Sequence, residues 1–127
     1  MIAERVESFT AEGPLMTDVG GTIPVAVLAT PAMIAKMERC AAMLALEHLP
    51  AGRATVGFEV CIRHVAAAFA GAQCTVRVAL REIVEERKLR FDVEVREGER
   101  VIGVGTHERR AVARAGAGVG SEPRRAS

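Results

Sequence analysis

Two side chains in the middle of the sequence, Glu38 and His64, have the chemistry for moving protons. Glu38 lies at the margin of the apolar face of a predicted helix, between the directions of Ile34 and Ala42. Partial loss of hydration there would make its carboxylate a plausible general base or orienting group. The alternative is a boundary glutamate whose carboxylate reaches water, and position alone favours this second interpretation.

His64 ends a predicted strand, on the side that carries the apolar residues. A neutral imidazole there could take or give a proton near pH 7, although a packed histidine with a satisfied hydrogen bond is the commoner case. Thr30 stands at the predicted start of the helix, where a role as N-cap explains it fully. Gly57 interrupts a strand of bulky residues, which indicates either close approach of the backbone to a ligand or a bulge.

Two motifs near the C-terminus are best explained as parts of a strand. Gly103-Val104-Gly105 lies within a strand pattern, and no helix follows it as a dinucleotide-binding turn requires. His107 and Glu108, followed by Arg109 and Arg110, most simply form the charged end of a solvated strand. Contact of the basic residues with the phosphates of a nucleotide is the alternative.

One long helix is predicted over residues 31–48. Thr30 can act as its N-cap, and Pro31 takes the first helical position, where a missing N–H costs little. The next helix-breaking residue is Pro50. At about 100° per residue, one arc collects the apolar side chains Met33, Ile34, Met37, Cys40, Ala41, Leu44 and Ala45. This helix is expected to pack one face against a flat partner.

The second half of the chain is predicted to supply that partner as strands. An alternation of apolar and polar residues predicts a strand with one buried face, whose apolar members are Val56, Phe58, Val60 and Ile62. Similar alternations follow at residues 74–80 and 89–95, and a last strand lies near residues 101–112. Because short turns join these last three strands, they form an antiparallel meander.

A helix that covers one face of an antiparallel sheet defines an α+β protein, and this arrangement describes the hotdog fold, in which the sheet wraps around one central helix. Before the helix we expect a strand at residues 5–11, a loop at 16–21 and a short extended segment at 22–29, interrupted by Pro24. One domain is expected over residues 1–113. Residues 114–127, rich in Gly, Ala, Arg and Ser, are expected to form a disordered tail.

The composition excludes several classes of function. Lys+Arg 17 against Asp+Glu 16 gives no field to steer nucleic acid, and the absence of Tyr and Trp leaves few stacking platforms for bases. No apolar stretch reaches the ~20 residues of a membrane span. Cys40, Cys61 and Cys74 are too far apart for a Cys-x-x-Cys motif. We therefore expect reduced thiols, a cytoplasmic location, and no metal, cofactor, nucleic acid or membrane partner.

Several residues stand in the order and spacing of one known family. The stretch at residues 103–109, Gly-Val-Gly-Thr-His-Glu-Arg, resembles the Gly-x-Gly-Thr-His-Glu-Arg stretch of the fluoroacetyl-CoA thioesterase-like branch of the hotdog enzymes. Ala29-Thr30 before a helix that contains Met37-Glu38, and Gly57 followed by His64, also keep the family's spacing. The resemblance runs from about residue 25 to residue 112.

This resemblance implies hydrolysis of a small acyl-CoA, with Thr30, Glu38 and His64 as catalytic residues and Gly57 at the substrate thioester. It also implies a homodimer whose two sheets join side by side, with acyl-CoA bound near the subunit interface. One region departs from the family, because residues 13–29 contain no counterpart of its aromatic lid. The resemblance therefore supports thioester hydrolysis better than it supports any particular acyl group.

The proposed residues raise a geometric question. In a continuous helix, Thr30 and Glu38 are about 12 Å apart along the axis, at 1.5 Å per residue. Either Thr30 precedes the helix or the site draws residues from two chains.

Two other functions remain open. One is a non-catalytic acyl-CoA-binding hotdog module, in which Glu38 and His64 only shape a pocket, and it predicts binding without turnover. The other is a hydratase or dehydratase, which would also use a histidine and a carboxylate. The longer central-helix insertion and the Asp-x-x-x-x-His arrangement of those enzymes are not seen in this sequence.

Overall fold

The computed structural model describes residues 1–114. The predicted tail, apart from Arg114, lies outside the described residues. Within this range the chain forms seven strands and one α-helix. They are β1 (Ala3–Thr10), a short 3-10 helix (Gly13–Leu15), β2 (Met16–Thr17), β3 (Val27–Leu28), α1 (Thr30–Leu46), β4 (Arg53–His64), β5 (Gln73–Val84), β6 (Lys88–Glu97) and β7 (Arg100–Ala113).

Five of the strands form one antiparallel sheet in the order β1-β5-β6-β7-β4. The predicted meander of β5, β6 and β7 is confirmed. β4 pairs with β7, the last strand, and therefore forms one edge of the sheet, while β1 forms the other. β2 and β3 make a separate small hairpin that precedes α1.

α1 packs one face against this sheet, as its apolar arc predicts. Six of its side chains are buried: Met33, Met37, Cys40, Ala41, Leu44 and Ala45. Burial of each larger apolar side chain contributes roughly 1.5–3 kcal/mol. Gly103 of β7 makes this contact possible, because a Cβ there would collide with the Met33 side chain. The first glycine of the Gly-x-Gly pair therefore serves helix packing.

The start of α1 differs from the prediction by one residue. Ala29 is the N-cap, with extended backbone angles (φ −71°, ψ 139°), and Thr30 is the first helical residue. The first helical hydrogen bond runs from Met33 N to Ala29 O at 3.0 Å. The prediction of Thr30 as N-cap was therefore wrong, and its hydroxyl is free for another partner.

A bulge in β4 also overturns the predicted alternation. Gly57 pairs with Arg109 but Glu59 pairs with Glu108, so the register shifts at Phe58. The extra residue reverses the side-chain alternation, because each strand residue points opposite to its neighbour. Gly57 and Val60 consequently share a face, and the prediction of one face for Val56 through Ile62 was wrong.

Candidate active site

Thr30 and His64 form the first part of the site. Thr30 Oγ1 lies 2.7 Å from His64 Nδ1, a short hydrogen bond between the first residue of α1 and the last residue of β4. Burial lowers the pKa of His64 below its ordinary value of 6.5, which favours the neutral imidazole. Nε2 of the ring is buried and has no hydrogen-bond partner within residues 1–114.

Glu38 and Gly57 form a second part, two helical turns further along α1. A Cβ at position 57 would lie 2.7 Å from Oε2 of Glu38, closer than real contacts allow. The glycine therefore lets the carboxylate lie directly on the β4 backbone. The Glu38 side chain keeps 40% of its exposure, so it is placed at the boundary of the core, as predicted.

Arg109 and His107 of β7 lie next to Glu38 and Gly57. His107, Glu108 and Arg109 are all buried, so the prediction of a solvated strand end was wrong for these three. Arg109 donates from Nε to Thr55 Oγ1 at 2.7 Å and from Nη2 to Thr55 O at 3.0 Å. Its Nη1 lies 3.9 Å from Glu38 Oε2, which places a fixed positive charge beside the carboxylate.

His107 completes the support of Arg109 in a defined tautomer. Its Nδ1 lies 2.8 Å from the carbonyl oxygen of Glu59, which can only accept, so Nδ1 carries the proton. Nε2 then accepts from Arg109 Nη1 at 3.1 Å. Burial lowers the pKa of His107 below 6.5, and Arg109 lowers it further, so the ring stays neutral. The bulge that displaces Phe58 thus lies beside the carbonyl that orients this histidine.

The structure brings the four predicted site residues together as two pairs. Thr30 meets His64, and Glu38 meets Gly57, but the pairs lie at different turns of the continuous helix α1, about 12 Å apart along its axis. Because Thr30 is itself helical, the possibility that it precedes the helix is excluded. Within one chain the four residues do not meet at one reacting atom.

A groove of about 350 Å³ adjoins Thr30 and His64. Its other lining residues come from the β2–β3 hairpin and from the segment after β4, and they are Thr17, Val19, Val27, Leu28, Ala29, Val65, Ala66 and Ala67. Its volume is at the lower end of the ~300–1,000 Å³ range of small-molecule sites.

Two negative findings concern the described part of the chain. Residues 1–114 contain no group of three or more His, Cys, Asp or Glu side chains placed to hold a metal ion. No helix in this range has the length and apolar character needed to cross a membrane.

The wrapped sheet with its central helix places the protein among the hotdog folds. A hot-dog-like protein from Thermanaerovibrio acidaminovorans, 20% identical, superposes with a TM-score of 0.78 over 87% of this chain and 82% of that chain. Within this class, the family described as fluoroacetyl-CoA-specific thioesterase (FlK) matches residues 14–115. The chain belongs to this family, and the predicted fold and resemblance are confirmed.

Individual relatives agree with this assignment. The fluoroacetyl-CoA thioesterase of Streptantibioticus cattleyicolor is 36% identical over 86 residues, which make up 68% of this chain and 61% of that protein. The match thus spans less than two thirds of the relative's length. The solved structure of the fluoroacetyl-CoA thioesterase FlK is 28% identical, with a TM-score of 0.78 over 87% of this chain and 86% of that chain. A thioesterase superfamily member from Thermus thermophilus is 26% identical, with a TM-score of 0.77 over 87% and 82% of the two chains.

Proposed function

We propose that this chain is an acyl-CoA thioesterase, which hydrolyses a small acyl-CoA to the free acid and CoA. The observation that carries the proposal is the 2.7 Å contact between Thr30 Oγ1 and His64 Nδ1 at the end of a groove. A hydroxyl within hydrogen-bond reach of a neutral imidazole is the arrangement of an activated nucleophile. Membership of the family and the names of its relatives support the same reaction.

The chemistry follows from this contact. The Thr30 hydroxyl donates its proton to His64 Nδ1, and its oxygen attacks the thioester carbonyl carbon. The C–S bond breaks, the CoA thiolate takes the proton from His64, and the acyl group remains as an ester on Thr30. Water then attacks the ester with His64 as general base, which releases the acid and restores the hydroxyl. A backbone N–H near Gly57 is proposed to donate to the developing oxyanion.

We further propose that the working enzyme is a homodimer in which Glu38 and Gly57 of one copy face Thr30 and His64 of the other. β4 is an edge strand, and its outer part exposes large apolar side chains, Val56, Phe58 and Val60. An edge strand of this kind pairs readily with another strand. In such a dimer the Glu38 carboxylate would position the hydrolytic water. The free thiols of Cys40, Cys61 and Cys74 fit a reducing, cytoplasmic setting.

Mixing two inactive variants tests the shared site. Thr30→Ala and Glu38→Gln are each expected to lose turnover as homodimers. If each site uses Thr30 from one copy and Glu38 from the other, a heterodimer regains one intact site, so re-equilibrated mixtures recover about a quarter of the parent activity. A mixture with no recovery would place Thr30 and Glu38 of one chain in the same site and contradict the shared arrangement.

A second candidate is a non-catalytic acyl-CoA-binding module. The separation of Thr30 and His64 from Glu38 within one chain favours it, because a single copy lacks the complete set. This module would bind acyl-CoA without releasing free thiol.

A further inference from the structure

We propose that the groove beside Thr30 receives the acyl group and selects unsubstituted aliphatic chains longer than acetyl. This inference rests on the proposed thioesterase function and names its substrate class. The observation behind it is the position of a groove with uncharged walls directly beside the hydroxyl that attacks the thioester.

The walls of the groove offer apolar side chains for contact. Val19, Val27 and Val65 face it, together with small alanines, and none of the Lys, Arg, Asp or Glu residues within 1–114 lines it. Three backbone N–H groups of this wall are already used: Leu28 N donates to Ala68 O at 2.8 Å, Ala29 N to Leu15 O at 2.8 Å, and Val65 N to Ile102 O at 2.8 Å. Thr17 Oγ1 accepts from Val19 N at 3.0 Å.

The same walls decide which end of the substrate lies in the groove. The thioester carbon must come within about 3–3.5 Å of Thr30 Oγ1, so the acyl group and the CoA arm leave it in different directions. The CoA arm carries phosphates, which require cationic or N–H donors. Among residues 1–114 the groove has no cationic side chain, and the N–H groups of Leu28, Ala29 and Val65 in its wall are occupied, so it suits the acyl group.

Val19 adds an independent indication of a ligand site. It has a left-handed backbone conformation with φ 54°, which is a genuine outlier for a β-branched residue. Strained backbone conformations of this kind cluster at active sites and ligand-binding sites. Val19 and Val65 are each 55% exposed in the free chain, so an aliphatic group that covers them removes apolar surface from water.

The test is kcat/KM for free-thiol release from acetyl-, propionyl-, butyryl-, hexanoyl- and fluoroacetyl-CoA. Each methylene that the groove buries is expected to raise kcat/KM by about fourfold until the groove is full. Val65→Thr, nearly isosteric but polar, should flatten this dependence. Val19→Gly should also flatten it while it relieves the strained backbone. Val25→Thr, equally exposed but outside the groove, is the matched control.

The outcomes separate this inference from the function on which it rests. Absence of turnover for every acyl-CoA would contradict the thioesterase itself. Turnover that is flat or falls with chain length, or that prefers fluoroacetyl-CoA to butyryl-CoA, would overturn the aliphatic groove and leave the thioesterase standing. An equal loss for all acyl groups in Val65→Thr and Val19→Gly would likewise overturn it, because a merely structural role predicts that result.

Discussion

The Glu38 carboxylate packs against the backbone of Gly57. It lies so close that a Cβ added at position 57 would be only 2.7 Å from Glu38 Oε2. Position 57 has no positive φ, so conformational freedom does not explain the glycine. Space for the carboxylate explains it. A residue near the middle of α1 and a residue of the edge strand β4 are therefore fitted to each other, next to the buried Arg109.

Gly57→Ala should displace the Glu38 carboxylate and lower kcat/KM by at least about tenfold, since misplacement by about 1 Å can cost as much as 100-fold. Folding should survive, because the far end of a side chain can move. Because loss of the Glu38 carboxylate itself should abolish turnover, the Glu38→Ala background is compared in thermal melts, where Gly57→Ala should cost little, since the collision is gone. An equal loss of melting temperature in the parent and in the Glu38→Ala background would show that Gly57 acts independently of Glu38.

Arg109→Lys should lower both stability and activity, because lysine cannot replace the forked contacts to Thr55 and His107. Unpaired buried groups left behind cost about 1–3 kcal/mol, which denaturant unfolding can measure. Arg110→Lys is the matched control, since Arg110 points to the other face and pairs with Glu108. Similar behaviour of the two variants in unfolding and turnover would contradict the support role of Arg109.

The pH dependence follows from two histidines, the half-buried His64 and the buried His107. Burial lowers the pKa of both His64 and His107 in the folded chain, so between those values and 6.5 the unfolded chain binds more protons. Stability should therefore fall as the pH drops through this window and be fully present above 6.5. kcat/KM should decline on the acid side with an apparent pKa below 6.5. An acid limb above 6.5, or stability that rises on acidification, would disagree.

The exposed edge of β4 should join two copies. Val60→Glu is expected to convert the proposed dimer to a monomer in sedimentation and to abolish turnover with it, because a charge at the pairing edge is unfavourable. Val104→Glu, a partly exposed valine on the inner strand β7, is the control and should remain dimeric. A parent protein that sediments as an active monomer would exclude the shared site.

Much of the fold could be predicted because it follows from periodicity. The apolar arc of α1 and the alternations of β5 and β6 each have a single period, and each was confirmed. The alternation predicted for β4 was wrong because a bulge inserts one residue into the strand. The spacing of the apolar residues alone does not reveal this insertion. Thr30 was misplaced by one position for a related reason. Whether a threonine caps a helix or opens it depends on its backbone angles, and these follow from the packing of the preceding hairpin.

The site residues were accessible to sequence reasoning to different degrees. Thr30, Glu38, His64 and Gly57 were named from the family's spacing, and their pairing by contact follows from the antiparallel run of α1 against β4. Arg109 and His107 were missed, because two charged or polar residues in a strand resemble a solvated end. The sequence did contain an indication of their burial. His107 and Arg109 are spaced from Gly103 by even numbers of residues, so their side chains point to the face of β7 that the helix covers. Their burial depends on Thr55 and Glu59, which no local pattern connects to them.

Release of free CoA thiol from a panel of short, branched and aromatic acyl-CoAs, with Glu38→Gln and His64→Ala beside the parent, is the decisive test of thioester hydrolysis at this site. The parent should turn over at least one acyl-CoA, and turnover should collapse in both variants, with melting temperatures close to that of the parent. Full hydrolysis by both variants would contradict the site. Binding of acyl-CoA by the parent without any thiol release would contradict the proposed thioesterase activity.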